Sequence, residues 1–153
     1  MPITIDHLFN HTDCVPLVAD WIYNEFWQDK PGYSPATFDA LLRDADNPDR
    51  IPLSLLALVD GHPAGAVNLI HNDDKTRPHL HPWLAALVVV PERRGQGIGS
   101  ALVRALLQEA RRLGCDELYL GTDIPGFYER LGAVIHEQLR EDHWVMCVSL
   151  ADS

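Results

Sequence analysis

The sequence has few basic residues, few cysteines and no long hydrophobic run, and each shortage argues against a class of function. Its 12 Lys and Arg residues stand against 22 Asp and Glu residues, which gives a formal net charge of −10 at pH 7. Nucleic-acid binding needs clustered Lys and Arg to displace counterions from phosphates, so we expect no nucleic-acid partner. The negative charge instead favours a cationic partner such as an amine.

The three cysteines, Cys14, Cys115 and Cys147, form no CxxC motif, and each has apolar neighbours. They are predicted to be buried free thiols in a reducing cytosol rather than disulfides, metal ligands or nucleophiles. The longest apolar run, residues 83–90, is far too short to cross a bilayer, and the first residues lack the basic and apolar segments of a signal peptide. We therefore expect a cytoplasmic protein with no membrane partner.

The 153 residues are enough for one domain with a single core, and the first 50 residues predict two helices. Asp13 is placed to cap the first helix. Its apolar stripe consists of Val18, Trp21, Ile22 and Phe26. Ser34-Pro35 opens the second helix and Asn47-Pro48 ends it. The predicted buried side of the second helix consists of Phe38, Leu41 and Leu42.

The rest of the chain alternates between strand and helix patterns. Residues 53–59 and 64–70 are apolar segments joined by an Asp-Gly turn, which predicts an antiparallel hairpin. The run 83–90 lacks polar alternation, as in a strand that is covered on both faces. The remaining predicted elements are a helix over 97–113, a strand over 117–120, a short helix over 125–131 and a strand pair over 134–139 and 144–150. This order predicts an α/β (α+β) fold whose mixed sheet has one parallel unit in its middle.

Three glycines at alternate positions, Gly95, Gly97 and Gly99, precede the long predicted helix. Glycine has no Cβ to keep an anion away from the backbone amides, and the helix N-terminus adds partial positive charge. A P-loop is excluded because its motif requires a lysine and no lysine follows Lys75. A Rossmann fingerprint matches weakly, because Ser100 stands where the third glycine belongs.

The segment Arg94-Gly95-Gln96-Gly97-Ile98-Gly99, which follows Val89-Val90-Pro91, resembles motif A of the GNAT superfamily, the GCN5-related N-acetyltransferases. A second segment, GFYERLGA at residues 126–133, resembles motif B of the same superfamily. The resemblance covers residues 83–133. It implies a single acetyltransferase domain over residues 1–153, with a mixed, mostly antiparallel central sheet that is flanked by about four helices and splayed at its central parallel strand pair.

In GNAT proteins the motif A loop holds the pyrophosphate of coenzyme A, so the resemblance implies acetyl-CoA as cosubstrate. The strand residues Leu87, Val88 and Val89 are implied to pair with the pantetheine arm, and the backbone N–H of Val89 to meet the thioester carbonyl. The residues implied to wrap the pyrophosphate are Arg94, Gly95, Gln96, Gly97, Ile98, Gly99 and Ser100.

Tyr128 matches the motif B tyrosine, which the resemblance places near the cofactor sulfur. A phenol with an ordinary pKa of about 10 suits protonation of the leaving thiolate, although an aromatic residue here also suits simple core packing. Many GNAT members carry a glutamate on the strand after the motif A helix, but residues 118–122 contain no acid. Asp123 is therefore the candidate base, or else a cap for the helix at Pro125. His81 and Glu25 are weaker candidates.

Three histidines, His71, His79 and His81, precede the central strand. His79 and His81 would point the same way on a strand, but no third ligand converges with them, so we expect no metal site. In the GNAT fold the acceptor lies between the first two helices and the loop before the central strand. Candidate residues there are Trp21, Tyr23, Glu25, Trp27, Asp29 and Tyr33. Aromatic faces and carboxylates suit a cation.

These observations predict an acetyl-CoA-dependent N-acetyltransferase. It would acetylate a primary amine, either of a small molecule or of a protein, by direct transfer in a ternary complex. The alternative is a GNAT-fold CoA-binding or regulatory protein without turnover, which the missing strand glutamate keeps open. GNAT folds often form homodimers, and no segment of the sequence marks a specific interface.

Overall fold

In a computed structural model, which describes residues 2–151, seven strands form one sheet in the order β1-β2-β3-β4-β5-β7-β6. The strands are β1 Ile3–His7, β2 Leu53–Val59, β3 His62–Ile70, β4 Trp83–Val89, β5 Glu117–Thr122, β6 Ala133–Arg140 and β7 His143–Ser149. Only β4 and β5 pair in parallel, and their register contains a single residue pair, Trp83 with Tyr119. The predicted mixed, mostly antiparallel sheet with one splayed parallel pair is confirmed.

Four α-helices cover the sheet: α1 Val15–Ile22, α2 Pro35–Arg43, α3 Ile98–Arg112 and α4 Pro125–Glu129. The helix α3 packs on one face and buries Ile98, Leu102 and Leu106 almost completely. The helices α1 and α2 pack on the other face, over a second apolar cluster that includes Val18 and Phe38. At about 1.5–3 kcal/mol for each fully buried aliphatic side chain, these two layers fix the sheet between the helices.

Several predicted details of the first helices are wrong. Asp13 does not cap α1, because it lies inside a 3₁₀ turn, Thr12–Cys14, and the helix begins after Cys14 with no side-chain cap. A π-helical turn, Tyr23–Trp27, follows α1 and leaves Phe26 exposed. Leu41 is also exposed, at 56%, because it lines a groove instead of packing on the sheet.

The sheet has one strand more than the sequence analysis predicted. The missed strand, β1, pairs antiparallel with β2 along its whole length. Elsewhere the predicted segments differ from the observed strands only at their ends; β5, for example, continues to Thr122. Short edge strands such as β1 carry a weak apolar pattern, so their pairing depends on the neighbouring strand.

The three cysteines are free thiols that are half-buried, not fully buried as predicted. Burial raises the pKa of Cys14, Cys115 and Cys147 above the ordinary value, and a neighbouring carboxylate adds to each shift. Thiolates are disfavoured at all three positions, which fits thiols without a nucleophilic role. Within residues 2–151, no helix has the length and apolar character needed to cross a membrane.

Candidate active site

The centre of the sheet is open because β4 departs from both of its neighbours. Against β3, the register steps from Asn68–Ala85 to Ala66–Val88, so β4 bulges at Ala86, whose φ is +52°. Beyond Trp83, β4 no longer pairs with β5. The bulge and the splay together leave the backbone of the second half of β4 facing a gap.

Val89 presents its backbone to this gap. Val90 donates its N–H to the carbonyl of Ala64 on β3, at 2.9 Å. Since backbone groups alternate in direction along a strand, the N–H and C=O of Val89 point away from β3 and toward β5. The N–H is therefore placed to donate to a ligand that lies between β4 and β5.

The glycine loop continues directly from this strand. After a 3₁₀ turn, Pro91–Arg93, the chain passes through Gly95 and Gly97 with φ of +78° and +83°, a region that favours glycine. A Cβ built on either glycine meets no atom within 4 Å, so the space in front of the loop is open. Gly97 is the N-cap of the 15-residue helix α3, whose first amides have no partner within the helix. The loop is therefore shaped to hold an anion.

Arg94 ties the loop to the strand and to the π-helical turn after α1. Its Nε donates to the carbonyl of Val89 at 3.0 Å, and its Nη2 contacts the Glu25 carboxylate at 3.5 Å. Glu25 is thus engaged by a cation at the rim of the gap, which weakens its case as a general base.

Tyr128 lies on α4 and is 93% buried, with its ring at an edge-to-face contact with Phe127. Burial, together with the charge of Asp123, raises the pKa of Tyr128 to about 12. The phenol therefore stays protonated at neutral pH and remains available as a proton donor. Tyr128 also lines a groove between the sheet and the α1–α2 side, so core packing and access to a ligand coexist at this residue.

Asp123 is exposed and follows directly after β5. The alternative role as a helix cap is not observed, because the N-cap of α4 is Ile124, with no side-chain cap. The side chain that stabilises this turn is Thr122, whose Oγ1 accepts the N–H of Ile124 at 2.9 Å. Asp123 is one of the residues that line the groove between the sheet and the α1–α2 side.

A groove of 790 Å³ runs between the sheet and the α1–α2 side of the molecule. Its outer wall is apolar and includes Ile22, Phe26, Trp27, Phe38, Leu41 and Leu42. Its rim carries charged groups, namely Glu25, Lys30, Asp73, Asp74, Asp123, Arg140 and Asp142. Carboxylates outnumber cations at this rim, which suits a positively charged ligand.

Of the predicted acceptor residues, only Glu25 and Trp27 belong to the described lining of the groove. The ring centroids of Trp27 and Tyr33 are 4.4 Å apart, with the ring planes tilted by 42°, and Nζ of Lys30 lies 4.4 Å from the centroid of the Trp27 ring. Trp21 packs against the α1–α2 core, and the Tyr23 hydroxyl contacts the carbonyl of Gln28. Asp29 is exposed and is not part of the lining.

The histidines before the central strand do not converge. His71 contacts the carbonyl of Ile51 at 3.1 Å, while His79 and His81 are exposed. Across the described part of the chain, no three His, Cys, Asp or Glu side chains are grouped as metal ligands. His81 lies outside the groove lining.

Ser54, Asn68 and Asp73 are among the polar residues of the groove that the sequence did not predict. Burial raises the pKa of Asp73 to about 6, the adjacent Asp74 adds to the shift, and Lys30 opposes it. The neighbouring Asp74 differs, because hydrogen bonds from Thr76 and Arg77 lower its pKa. The available signal for Ser54 and Asn68 was a single polar residue inside each of two apolar strands.

The sheet opens beside a glycine loop at a helix N-terminus, an arrangement that suits an anionic ligand lying next to an open strand edge. Residues 19–133 match the profile of the Acetyltransferase (GNAT) family. The chain belongs to this family.

The chain is 34% identical over 91 residues to N-alpha-acetyltransferase 30 of Schizosaccharomyces pombe, a match that covers 56% of this chain and 60% of that protein. It therefore matches less than two thirds of that relative's length. Among solved structures, an aminoglycoside 6'-N-acetyltransferase complexed with coenzyme A superimposes with a TM-score of 0.75, at 19% identity, over 100% of this chain and 99% of the other. The structure of yncA from Salmonella typhimurium, with acetyl-CoA, gives a TM-score of 0.76 at 16% identity, over 99% and 95%.

Proposed function

We propose that the protein is an N-acetyltransferase that moves an acetyl group from acetyl-CoA to a primary amine by direct transfer in a ternary complex. Three features support this proposal: the Val89 N–H, which faces the gap beside β4, the open glycine loop, and the buried phenol of Tyr128 on the groove lining. The similarity to N-alpha-acetyltransferase 30 and to the two CoA-bound structures supports the same reaction class.

The cosubstrate fits the open strand and loop. Leu87, Val88 and Val89 would hold the pantetheine arm. The pyrophosphate would be held by the loop residues Arg94, Gly95, Gln96, Gly97, Ile98, Gly99 and Ser100. Ile98 takes part through its amide, because its side chain is buried in the core beneath α3. The positive φ angles turn the loop around an open space, and the start of α3 supplies unpaired amides and partial positive charge.

Three residues would act on the reacting atoms. The Val89 N–H stabilises the oxyanion that forms when the amine nitrogen attacks the thioester carbon. Asp123 accepts, directly or through water, the proton that the ammonium ion must lose before its nitrogen can attack. The nitrogen loses a second proton to water as the amide forms, and Tyr128 donates its own proton to the sulfur as the C–S bond breaks. The phenol then regains a proton from solvent, which its raised pKa favours.

The acceptor would enter through the groove, where the charged rim favours a cationic amine. Asp73 contributes a carboxylate that is ionised above a pKa of about 6. A primary amine with an ordinary pKa near 10 arrives as an ammonium ion, so a negative rim raises its local concentration and its affinity. The unpaired, half-buried cysteines agree with a reducing compartment, and we include a cytoplasmic location in the proposal.

The test combines calorimetry with an assay of thiol release. We expect heat on addition of CoA to the folded protein, and steady release of free thiol from acetyl-CoA when a suitable amine is present. Thermal protection by CoA without release for any amine would support the alternative, a CoA-binding or regulatory protein. Absence of any heat with CoA would contradict both.

A further inference from the structure

Lys30 places an ammonium group on an aromatic ring of the groove. Its Nζ lies 4.4 Å from the centroid of the Trp27 ring, a separation typical of a cation–π contact, and both residues line the groove. The backbone N–H of Lys30 donates to the carbonyl of Trp27 at 3.0 Å, so the turn after the π-helical segment brings the side chain back over the ring. The groove therefore contains a place where an ammonium group rests.

Two further aromatic rings hold the Trp27 ring in position. Its centroid lies 4.4 Å from that of Tyr33 and 5.7 Å from that of Phe38, and the rings of Tyr33 and Phe38 are themselves 6.2 Å apart. Phe38 is anchored in the apolar cluster under α1 and α2. A ring that is packed in this way presents a fixed π-face, so little ordering entropy is lost when a cation binds to it.

A carboxylate acts on the same ammonium group. Asp73 lines the groove together with Trp27 and Lys30. Burial and the charge of Asp74 raise the pKa of Asp73, and the positive charge of Lys30 lowers it. The carboxylate of Asp73 and the ammonium of Lys30 therefore attract each other. We call the Trp27 ring and the Asp73 carboxylate together the cation subsite.

The ammonium group of Lys30 is displaceable. An ammonium carries three N–H donors, yet within residues 2–151 Nζ makes only the ring contact, with no hydrogen bond or ion pair. The Lys30 side chain is exposed, and a cation–π contact that is open to water is weak. The ammonium group of a ligand can therefore take its place at the cation subsite.

We propose that Lys30 is an internal competitor for the acceptor: its ammonium occupies the cation subsite of Trp27 and Asp73, and a cationic ligand binds there by displacing it. This inference rests on the proposed function and identifies a residue that sets the affinity for the acceptor. A neutral ligand gains no cation–π contact when Lys30 leaves the ring. Lys30 therefore lowers the preference of the groove for a cation over a neutral molecule of the same shape.

The test compares choline with 3,3-dimethylbutan-1-ol, which have the same shape and differ in the charge at one atom. The nitrogen of choline carries no hydrogen and cannot be N-acetylated, so calorimetry with the CoA-loaded protein, or with the free protein if CoA gives no heat, reports binding alone. We expect Lys30→Met to raise the choline-to-alcohol affinity ratio about threefold to tenfold, because the cation–π contact becomes free for the ligand. The affinity for CoA should stay unchanged.

Control variants separate displacement from net charge. Arg140→Met removes another cation of the rim, one that pairs with Asp142 at 3.4 Å, and its ratio should stay close to that of wild type. Lys30→Arg keeps a cation at the ring and should also keep the wild-type ratio. In the Lys30→Met background, Trp27→Leu should cancel the gain. Asp73→Asn in that background serves the same purpose if Trp27→Leu does not fold.

A ratio that Lys30→Met leaves unchanged, an equal rise in Arg140→Met, or a gain that survives the second substitution would overturn the inference. Failure of choline to bind either wild type or Lys30→Met would also overturn it. Because choline binding needs no acetyl transfer, the two proposals fail separately. The expected response to Lys30→Met without acetylation of any amine would refute only the transferase, and acetylation without that response would refute only the role of Lys30.

Discussion

Arg94 turns back onto the strand that precedes it, and its Nε donates to the carbonyl of Val89 at 3.0 Å. One side chain thus joins the start of the glycine loop to the residue whose N–H faces the gap. The contact links the two parts of the proposed CoA site, and it also places a positive charge at the mouth of the loop.

We expect Arg94→Met to weaken CoA binding about tenfold. The substitution removes the hydrogen bond from the charged Arg94 side chain to the Val89 carbonyl, and a hydrogen bond of a charged group typically contributes about 1.5–3 kcal/mol. Isothermal titration calorimetry with CoA measures this change. Arg104→Met removes a charge from an exposed position of α3 and should bind CoA as wild type does. Equal losses in both variants would show that only net charge matters.

Gly97→Glu should abolish thermal protection by CoA. The residue has φ of +83° and open space in front of it, so a carboxylate would occupy the place of the phosphate. Gly97→Ala should retain part of the affinity, because its cost is limited to backbone strain of about 1–2 kcal/mol. A shift of Tm with CoA measures both. Full protection in a folded Gly97→Glu protein would contradict the assignment of the loop.

Gly65 is required by the close approach of three elements. A Cβ at this position would lie 2.7 Å from the carbonyl oxygen of Val88 and 3.1 Å from Leu102. We expect Gly65→Ala to destabilise the protein by about 1–3 kcal/mol through overpacking, as measured by urea denaturation. Gly126→Ala, where a Cβ meets no atom within 4 Å, is the control and should leave stability almost unchanged.

Tyr128→Phe should lower kcat by about 10²–10⁴-fold, the usual contribution of a general acid, and leave the Kd of CoA almost unchanged. The pKa of about 12 also predicts that deprotonation of the phenol does not limit the wild-type rate below pH 10. Steady-state rates from pH 6 to 10, with calorimetry for CoA, test both statements. A rate equal to wild type would reduce Tyr128 to a packing role.

Asp73 should determine how kcat/KM depends on acid pH. Its carboxyl is neutral below a pKa of about 6, so the affinity for a cationic acceptor should fall as the pH drops through that value. In Asp73→Asn this loss should disappear, with a kcat/KM that is low at every pH. Asp142→Asn, at another rim carboxylate, should keep the wild-type profile, and a matching loss of the acid limb there would contradict the role of Asp73.

The predictable parts of the site were those that depend on neighbours along the chain. Gly95 and Gly97 adopt positive φ angles, which glycine permits because it has no Cβ. The helix after them follows from the apolar period that buries Ile98 and Leu102. The sequence did not predict β1 or the exposure of Leu41, because both depend on the element that packs beside them.

By itself, the sequence determined the loop, the long helix that follows it and the family that these motifs identify, since glycine conformation and amphipathic period are local properties. Tertiary structure alone decided that Ser54 lies opposite Asn68, that β4 separates from β5 after Trp83, and that Asp73 reaches the groove. Register between strands that are distant along the chain sets these relationships, and register is fixed by the packing of the whole sheet.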